Sequence, residues 1–184
     1  MLYTVGLLIL RRFPSMVNER IRIITTGGTF DKFYDAVKGE LTFRESHLSR
    51  ILQQARVTFP VHLDLLLAVD SLLMTENQRE LIVHDALASF EKKVVIVHGT
   101  DTMTQTAELL QKNIKGKEDH VFVFTGAMIP YALENSDAIF NLGCALTAVQ
   151  LLSPGVYISM GGKIYPAGTV RKNKEIGVFE AIQN

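Results

Sequence analysis

The chain has 184 residues, of which 47% are hydrophobic and 21% charged, so it can bury one sizeable core but hardly two. It carries 19 basic and 19 acidic residues with no basic stripe among aromatics, so neither nucleic acid nor a membrane is expected as a partner. Cys144 is the only cysteine, which excludes an intrachain disulfide and a cysteine-cluster metal site. This cysteine usage predicts a cytoplasmic protein.

Residues 1–20 are predicted to be an extension outside the core. Their apolar run, residues 2–10, is too short for a membrane span. Arg11 and Arg12 follow this run instead of preceding it, which is unlike a signal peptide. An N-terminal membrane anchor is the alternative interpretation, and Met16 is an alternative start.

From residue 21 onward, apolar runs of four to six residues alternate with longer amphipathic stretches, which is typical of an α/β protein. Strands are predicted at residues 21–25, 61–66, 93–98, 120–125 and 155–159. Helices are predicted at residues 45–54, 76–90, 102–112 and 135–152. We therefore expect an open, mostly parallel sheet with helices on both faces, a Rossmann-like or flavodoxin-like three-layer sandwich.

No linker, repeat or low-complexity tract divides residues 21–184, so this part is predicted to be one domain. Residues 31–43 lack helical periodicity and contain Gly39. We predict a hairpin or a mobile loop there, which is a candidate lid because it follows the first strand.

Ligands of an open parallel sheet bind beyond the carboxyl ends of the strands, so the residues that follow each apolar run are informative. The first strand is followed by T-G-G-T-F, in which Gly28 permits a sharp turn and Thr29 carries a hydroxyl group. The third strand is followed by H-G-T-D-T-M, with the turn at Gly99 and polar groups at Thr100 and Asp101.

A third motif, D-S-L-L-M-T, follows the second strand and brings Asp70 and Ser71 to the same rim. Each motif also has a structural interpretation. A glycine pair after a strand is often only a tight loop, and Thr102 is predicted to cap the helix beside it. His98 is predicted to be a hydrogen-bonded structural histidine and not a catalytic base.

Taken together, the motifs indicate acyl transfer. A threonine hydroxyl is a weak nucleophile until a base or a lowered pKa activates it. A lysine desolvated near Asp101 can accept a proton from a hydroxyl group, while Asp101 orients the lysine or holds a substrate ammonium group. Backbone N–H groups at the Gly27 and Gly28 turn are candidate oxyanion donors.

Four motifs in order now identify a family: T-G-G-T-F, H-G-T-D-T-M, T-G-A-M-I-P at residues 125–130 and V-R-K-N at residues 170–173. This series resembles the bacterial-type L-asparaginases over residues 21–179. The resemblance implies hydrolysis of L-asparagine to L-aspartate and ammonia, in some members also of L-glutamine, without a metal or an organic cofactor. It also implies a homo-oligomer.

The resemblance assigns a role to each matching residue. Thr29 is the nucleophile, Thr100 and Lys172 activate it or a water molecule, and Asp101 pairs with the substrate ammonium group. Ser71 matches a serine that holds the substrate carboxylate. The candidate substrate-binding residues are Ser71, Asp70, Gly28 and Gly99. Tyr34 matches a tyrosine on the mobile loop, with a packed loop aromatic as the alternative, and Lys174 is the alternative to Lys172.

The sequence departs from the family pattern in three ways. Typical members are nearly twice as long, with a second domain that completes a neighbouring subunit's active site, whereas this chain ends soon after Lys172. We therefore expect the first domain alone, without a C-terminal domain, and a more open site. Leu72 replaces a substrate-binding glutamine, and Ile129 replaces the arginine of G-A-M-R-P.

Three functions stay open at this point. The first is an asparaginase with a threonine nucleophile and a Thr-Asp-Lys cluster. The second is a non-catalytic amino-acid-binding or regulatory domain. The third is a glutaminase or the amide-hydrolysing part of an amidotransferase, which the absence of a basic face in the sequence disfavours.

Overall fold

The computed structural model describes residues 19–182. Residues 1–18 of the predicted N-terminal extension lie outside the described part. The helices are α1 (Leu48–Gln54), α2 (Glu76–Leu87), α3 (Met103–Asn113) and α4 (Ala138–Leu151). The strands are β1 (Ile21–Gly27), β2 (Lys32–Asp35), β3 (Glu40–Phe43), β4 (Val61–Val69), β5 (Lys93–Val97), β6 (Val121–Thr125), β7 (Gly155–Met160), β8 (Lys163–Pro166), β9 (Val170–Asn173) and β10 (Val178–Ala181).

The central sheet has the strand order β4-β1-β5-β6-β7-β8. Strands β4 to β7 and β1 run parallel, and β8 is an antiparallel edge strand beside β7. Counting only the parallel strands in chain order gives 2-1-3-4-5, the flavodoxin-like arrangement. The predicted α/β fold class is therefore confirmed.

Both faces of the sheet are covered because its strands alternate buried side chains between two cores. On one face, Ile23, Val95 and Val123 pack against α1 and α4. On the other face, Ile96 and Phe124 pack against α2 and α3. Each of these side chains is fully buried. Burial of one such side chain contributes about 1.5 to 3 kcal/mol, so the two cores fix the strand register.

The five predicted strands and four predicted helices are all present, with shifted ends. Helix α4 begins at Ala138 instead of residue 135, because Asn135 has a left-handed backbone (φ 59°). The Asp137 carboxylate instead accepts hydrogen bonds from the N–H groups of Met128 and Ile129. It thereby ties the T-G-A-M-I-P loop to the start of α4.

Residues 31–43 form the predicted hairpin, in which β2 pairs with β3 in antiparallel register. Gly39, at φ 71°, makes its turn. The short strands β8, β9 and β10 were not predicted, because four-residue strands at the rim of a domain lack a long apolar run. Within residues 19–182, none of the helices combines the length and apolar character that crossing a bilayer requires.

Candidate active site

The candidate site lies where the strand order reverses, between β1 and β5. These strands are parallel neighbours, so their carboxyl ends meet at one edge of the sheet. Thr29 follows β1 and Thr100 follows β5. The two predicted threonines therefore occupy the same edge.

Glycine residues hold these two strand ends together. Gly28 has φ 71°, and a Cβ atom on it would lie 2.4 Å from Gly99 Cα. The Gly28 N–H donates to the Val69 carbonyl at 2.9 Å. Thr29, directly after this contact, is partly exposed and opens a short 3₁₀ turn. Because its N–H is already paired, Gly28 permits close approach and is not a free oxyanion donor, contrary to the expectation for that residue.

A buried carboxylate that the sequence reading did not single out fixes this turn. Asp31 accepts hydrogen bonds from the Thr25 hydroxyl at 2.8 Å, the Ser46 hydroxyl at 3.0 Å and the His47 N–H at 3.0 Å. It thus joins β1 to both ends of the β2–β3 hairpin and holds the turn that begins at Thr29. The signal for this role was the acidic residue that directly follows the T-G-G-T-F motif.

Strand β9 brings Lys172 to the same edge. Its Nζ donates to Thr100 Oγ1 at 2.8 Å and to Asp101 Oδ1 at 2.9 Å. The lysine side chain is only 10% exposed and that of Asp101 24%. The predicted Thr-Asp-Lys cluster therefore forms between distant parts of the chain, since Lys172 is 72 residues from Thr100 and 71 from Asp101. The lysine of the cluster is Lys172 and not Lys174.

Ser71 packs against Gly99, which directly precedes Thr100 of this cluster. A Cβ atom on Gly99 would come within 2.4 Å of Ser71 Oγ, so only glycine fits between them. Ser71 is 1% exposed, and within residues 19–182 its hydroxyl has no hydrogen-bond partner. A buried hydroxyl without a partner is uncommon, because its desolvation is uncompensated, and here it indicates a place for a polar ligand group.

Thr102 holds the loop of Ser71 and does not cap α3 through its side chain, contrary to the prediction. Its hydroxyl donates to the Ser71 carbonyl at 3.0 Å and accepts from Arg79 at 3.1 Å. No side-chain capping hydrogen bond to α3 is formed by Thr102. The Ser71 carbonyl also accepts a hydrogen bond from the Met74 N–H at 3.4 Å, so the contact with Thr102 is the shorter of its two hydrogen bonds.

Asp70 accepts a hydrogen bond from Lys32, a second charged contact at this edge that was not predicted. Partial burial acts to raise the pKa of Asp70. Hydrogen bonds from Lys32 and the Leu72 N–H, with the charges of Lys32 and Lys172, outweigh burial and hold this pKa below its usual value. Lys32 had a weak signal in sequence, as a lysine three residues after Thr29.

Tyr34 lies on β2 of the candidate lid, two residues after Lys32, so the two side chains share one face of the strand. The tyrosine side chain is exposed (57%). Leu72, at the position of the family glutamine, is also exposed (62%) and offers no polar group. Ile129 is partly exposed in its loop.

His98 is buried and hydrogen-bonded, which agrees with its predicted structural role. Nδ1 lies 2.8 Å from the Gly99 carbonyl oxygen, and Nε2 lies 3.0 Å from the Thr106 hydroxyl. Complete burial lowers the pKa of His98 to about 4. The neutral ring therefore holds the turn that leads to Thr100. Nowhere in residues 19–182 are three or more His, Cys, Asp or Glu side chains grouped so that they could hold a metal ion.

Comparison with known proteins agrees with this arrangement. A family model described as the N-terminal domain of asparaginases matches residues 20–183. The chain therefore belongs to the asparaginase family, as the four ordered motifs predicted.

Two sequence relatives show how much of a family member is present. The L-asparaginase of Thermococcus kodakarensis is 34% identical over 121 residues, which are 64% of this chain and 37% of the relative. L-asparaginase 1 of Escherichia coli is 31% identical over 138 residues, which are 71% of this chain and 40% of the relative. The chain thus spans less than half the length of these relatives.

Solved structures of L-asparaginases are also similar to this chain over about half of their own length. The thermostable L-asparaginase from Thermococcus kodakarensis superposes with a TM-score of 0.75 at 29% identity. The probable cytoplasmic L-asparaginase from Campylobacter jejuni also gives 0.75, at 27% identity. Each match covers 89% of this chain and about half of the solved chain, 51% and 52%.

Proposed function

We propose that this chain hydrolyses the side-chain amide of L-asparagine to L-aspartate and ammonia. The observation that carries the proposal is the contact of Lys172 Nζ with both Thr100 and Asp101, beside the strand end at which Thr29 stands. The similarity to proteins named L-asparaginase supports the same substrate class.

In the proposed mechanism, Thr29 Oγ attacks the amide carbon and its proton leaves through a neighbouring base. The carbon–nitrogen bond then breaks, ammonia leaves with a proton, and the substrate acyl group remains on Thr29 as an ester. A water molecule then passes a proton to the Thr100–Lys172 pair and attacks the ester carbon. The bond between that carbon and Thr29 Oγ1 breaks, Thr29 takes up the proton, and aspartate is released. Tyr34, on the lid hairpin, is proposed to close over Thr29 during the reaction.

Substrate recognition is assigned to the polar groups around this centre. Asp101 Oδ1 is bound to Lys172, whereas no hydrogen bond to its second carboxylate oxygen is found within residues 19–182. We assign that oxygen to the substrate ammonium group. The unpartnered Ser71 hydroxyl is assigned to the substrate carboxylate, with Asp70, Gly28 and Gly99 shaping the surrounding wall.

An ammonia-release assay with L-asparagine, D-asparagine and L-glutamine tests this function directly. We expect release from L-asparagine, and abolished release in Thr29→Ala with an unchanged melting temperature. Thr58→Ala, an exposed threonine before β4, is the matched control and keeps full activity. No release from any of the three amides by folded protein would contradict the proposal, and retained activity in Thr29→Ala would show that Thr29 is not the nucleophile.

A non-catalytic amino-acid-binding domain is the second candidate function. The observation that favours it is the buried Ser71 hydroxyl, which has no hydrogen-bond partner within residues 19–182 and indicates ligand binding without itself requiring turnover. Titration calorimetry with L-aspartate separates the enzyme from the binding domain. Saturable binding of L-aspartate without ammonia release would show a binding domain.

We also propose a cytoplasmic location and self-association. The lone cysteine supports the first. Exposed apolar side chains along one face of α4 and β8 support the second: Ile139, Phe140, Leu151 and Ile164. Light scattering of the purified chain tests self-association, and a monomer at all concentrations would contradict it.

A further inference from the structure

Lys32 and Asp70 form a second lysine–aspartate pair beside the Lys172 cluster. Lys32 Nζ donates to Asp70 Oδ2 at 2.5 Å, and the two side chains are 17% and 28% exposed. Lys32 lies on the lid hairpin, three residues after Thr29, and Asp70 directly precedes Ser71. The pair therefore joins the lid to the loop that carries the unpartnered hydroxyl.

Asp70 keeps a negative charge at neutral pH. Its Oδ1 accepts from the Leu72 N–H at 2.9 Å, and its Oδ2 accepts from Lys32. These contacts hold its pKa below the ordinary value despite partial burial, which acts in the opposite direction. An anion thus stands one residue from Ser71.

That charge opposes any carboxylate that binds the Ser71 hydroxyl, because like charges repel strongly in a partly buried site. A neighbouring cation is needed to offset it. Lys172 Nζ already donates to Thr100 and Asp101, whereas Lys32 contacts Asp70 directly.

Lys32 is held in place and still has donors to offer. Its Nζ lies 5.8 Å from the ring centroid of Phe43, its partner residue across the hairpin. An ammonium group has three N–H donors. One of the three donors of Lys32 is bonded to Asp70, and within residues 19–182 no second hydrogen-bond acceptor is found for Lys32 Nζ. Two donors are therefore available to a ligand.

We propose that Lys32 determines specificity by recognising the α-carboxylate of the substrate together with Ser71, while Asp70 orients the Lys32 ammonium group. This inference rests on the proposed function and specifies its substrate class: amides that also carry a carboxylate. It follows that the lid hairpin contributes a binding charge as well as Tyr34.

Two substitutions test the proposal, because they break the same ion pair but leave opposite charges. Lys32→Met leaves Asp70 uncompensated, and Asp70→Asn leaves the lysine. The substrates are L-asparagine and 3-aminopropanamide, which is asparagine without its α-carboxylate. We expect Lys32→Met to raise KM for L-asparagine about 10- to 100-fold, so that kcat/KM for L-asparagine relative to 3-aminopropanamide falls at least about tenfold.

In contrast, Asp70→Asn is expected to lower KM for L-asparagine about two- to tenfold, because the Asn amide oxygen can still accept from Lys32 while the negative charge that opposes the carboxylate is removed. Lys32→Arg should restore most of the discrimination lost in Lys32→Met. Lys92→Met removes the lysine of a remote pair with Asp119 and serves as the control. Equal losses on both substrates in Lys32→Met, or equal effects of Lys32→Met and Asp70→Asn, would assign the pair a purely structural role and overturn the proposal.

The outcome is separable from that of the proposed function. Absence of ammonia release by the wild-type chain would refute the hydrolase, and L-aspartate titration would then decide the role of Lys32. Weaker aspartate binding in Lys32→Met, but not in Asp70→Asn, supports carboxylate recognition. Equal aspartate affinity in both variants and the wild type overturns it.

Discussion

The two ends of the central sheet use the same pair of residue types in different surroundings. At the carboxyl end, the Lys172 and Asp101 side chains are 10% and 24% exposed, and the lysine also contacts Thr100. At the amino end, the Lys92 and Asp119 side chains are 59% and 58% exposed. An exposed ion pair contributes little because water screens it, whereas a buried one holds its groups in a fixed geometry.

The two ends also differ in how their backbone groups are satisfied. The amino end is closed by main-chain hydrogen bonds, such as that from the Val121 N–H to the Lys92 carbonyl at 2.7 Å. At the carboxyl end, Gly28 contacts Gly99, and Ser71 keeps a buried hydroxyl without a partner. Burial and unused polar groups, more than residue type, therefore distinguish the candidate binding site from the solvated rim.

The strongest test of this difference is removal of Lys172. Lys172→Met should lower kcat for L-asparagine about a hundredfold to ten-thousandfold, which is the usual range for a positioned proton-transfer group. Lys174→Met, two residues further on and exposed, is the matched control and should keep its activity. An ammonia assay checks both variants, and equal activity of the two would remove Lys172 from the mechanism.

Next in size is the effect of crowding the glycine contact. Gly28→Ala places a methyl group 2.4 Å from Gly99 Cα at φ 71°, so we expect a loss of about 3 kcal/mol in the free energy of unfolding. Gly39→Ala has the same φ of 71° but meets no atom within 4 Å, so only the cost of the left-handed backbone, about 1 kcal/mol, applies. Urea unfolding measures both, and similar losses would show that the contact is not tight.

A pH-dependent loss of stability is expected from His98 at the carboxyl end. Its pKa is about 4 in the folded protein, below the ordinary 6.5. Above pH 6.5 the ring is neutral in both states, so its contribution to stability is complete. As the pH falls from about 6.5 to 4, the unfolded chain takes up a proton that the folded protein does not, and up to about 3 kcal/mol is lost.

Comparison of the wild type with His98→Gln isolates this contribution from that of the carboxylates. The free energy of unfolding, measured in urea at pH 7.5 and pH 4, should fall further in the wild type than in the variant. The same pH dependence in both proteins would contradict a buried, neutral His98.

The smallest effect is expected at the amino end. Lys92→Met breaks the exposed pair with Asp119 and should leave both the melting temperature and kcat/KM unchanged within error, because solvent already screens the pair. A clear loss of stability or activity in Lys92→Met would break the contrast between the two ends.

The α/β class, the five longer strands, the four helices and the residues at the strand ends could all be predicted from the amino-acid pattern. Apolar runs such as residues 94–97 allow few alternatives to a buried strand, and T-G-G-T-F and H-G-T-D-T-M mark the turns that follow two of them. Family membership could also be predicted from the order of four motifs, because their order can be read from the sequence without any knowledge of the fold.

The contacts between polar side chains, in contrast, became visible only in the folded chain. Lys172 lies 71 residues from Asp101, and Lys32 lies 38 from Asp70, so neither pair is implied by local spacing. The use of Thr102 to hold the Ser71 carbonyl, instead of capping α3, was equally hidden. The physical reason is that local patterns fix secondary structure, whereas side-chain partners depend on crossovers that bring distant strand ends to one edge of the sheet.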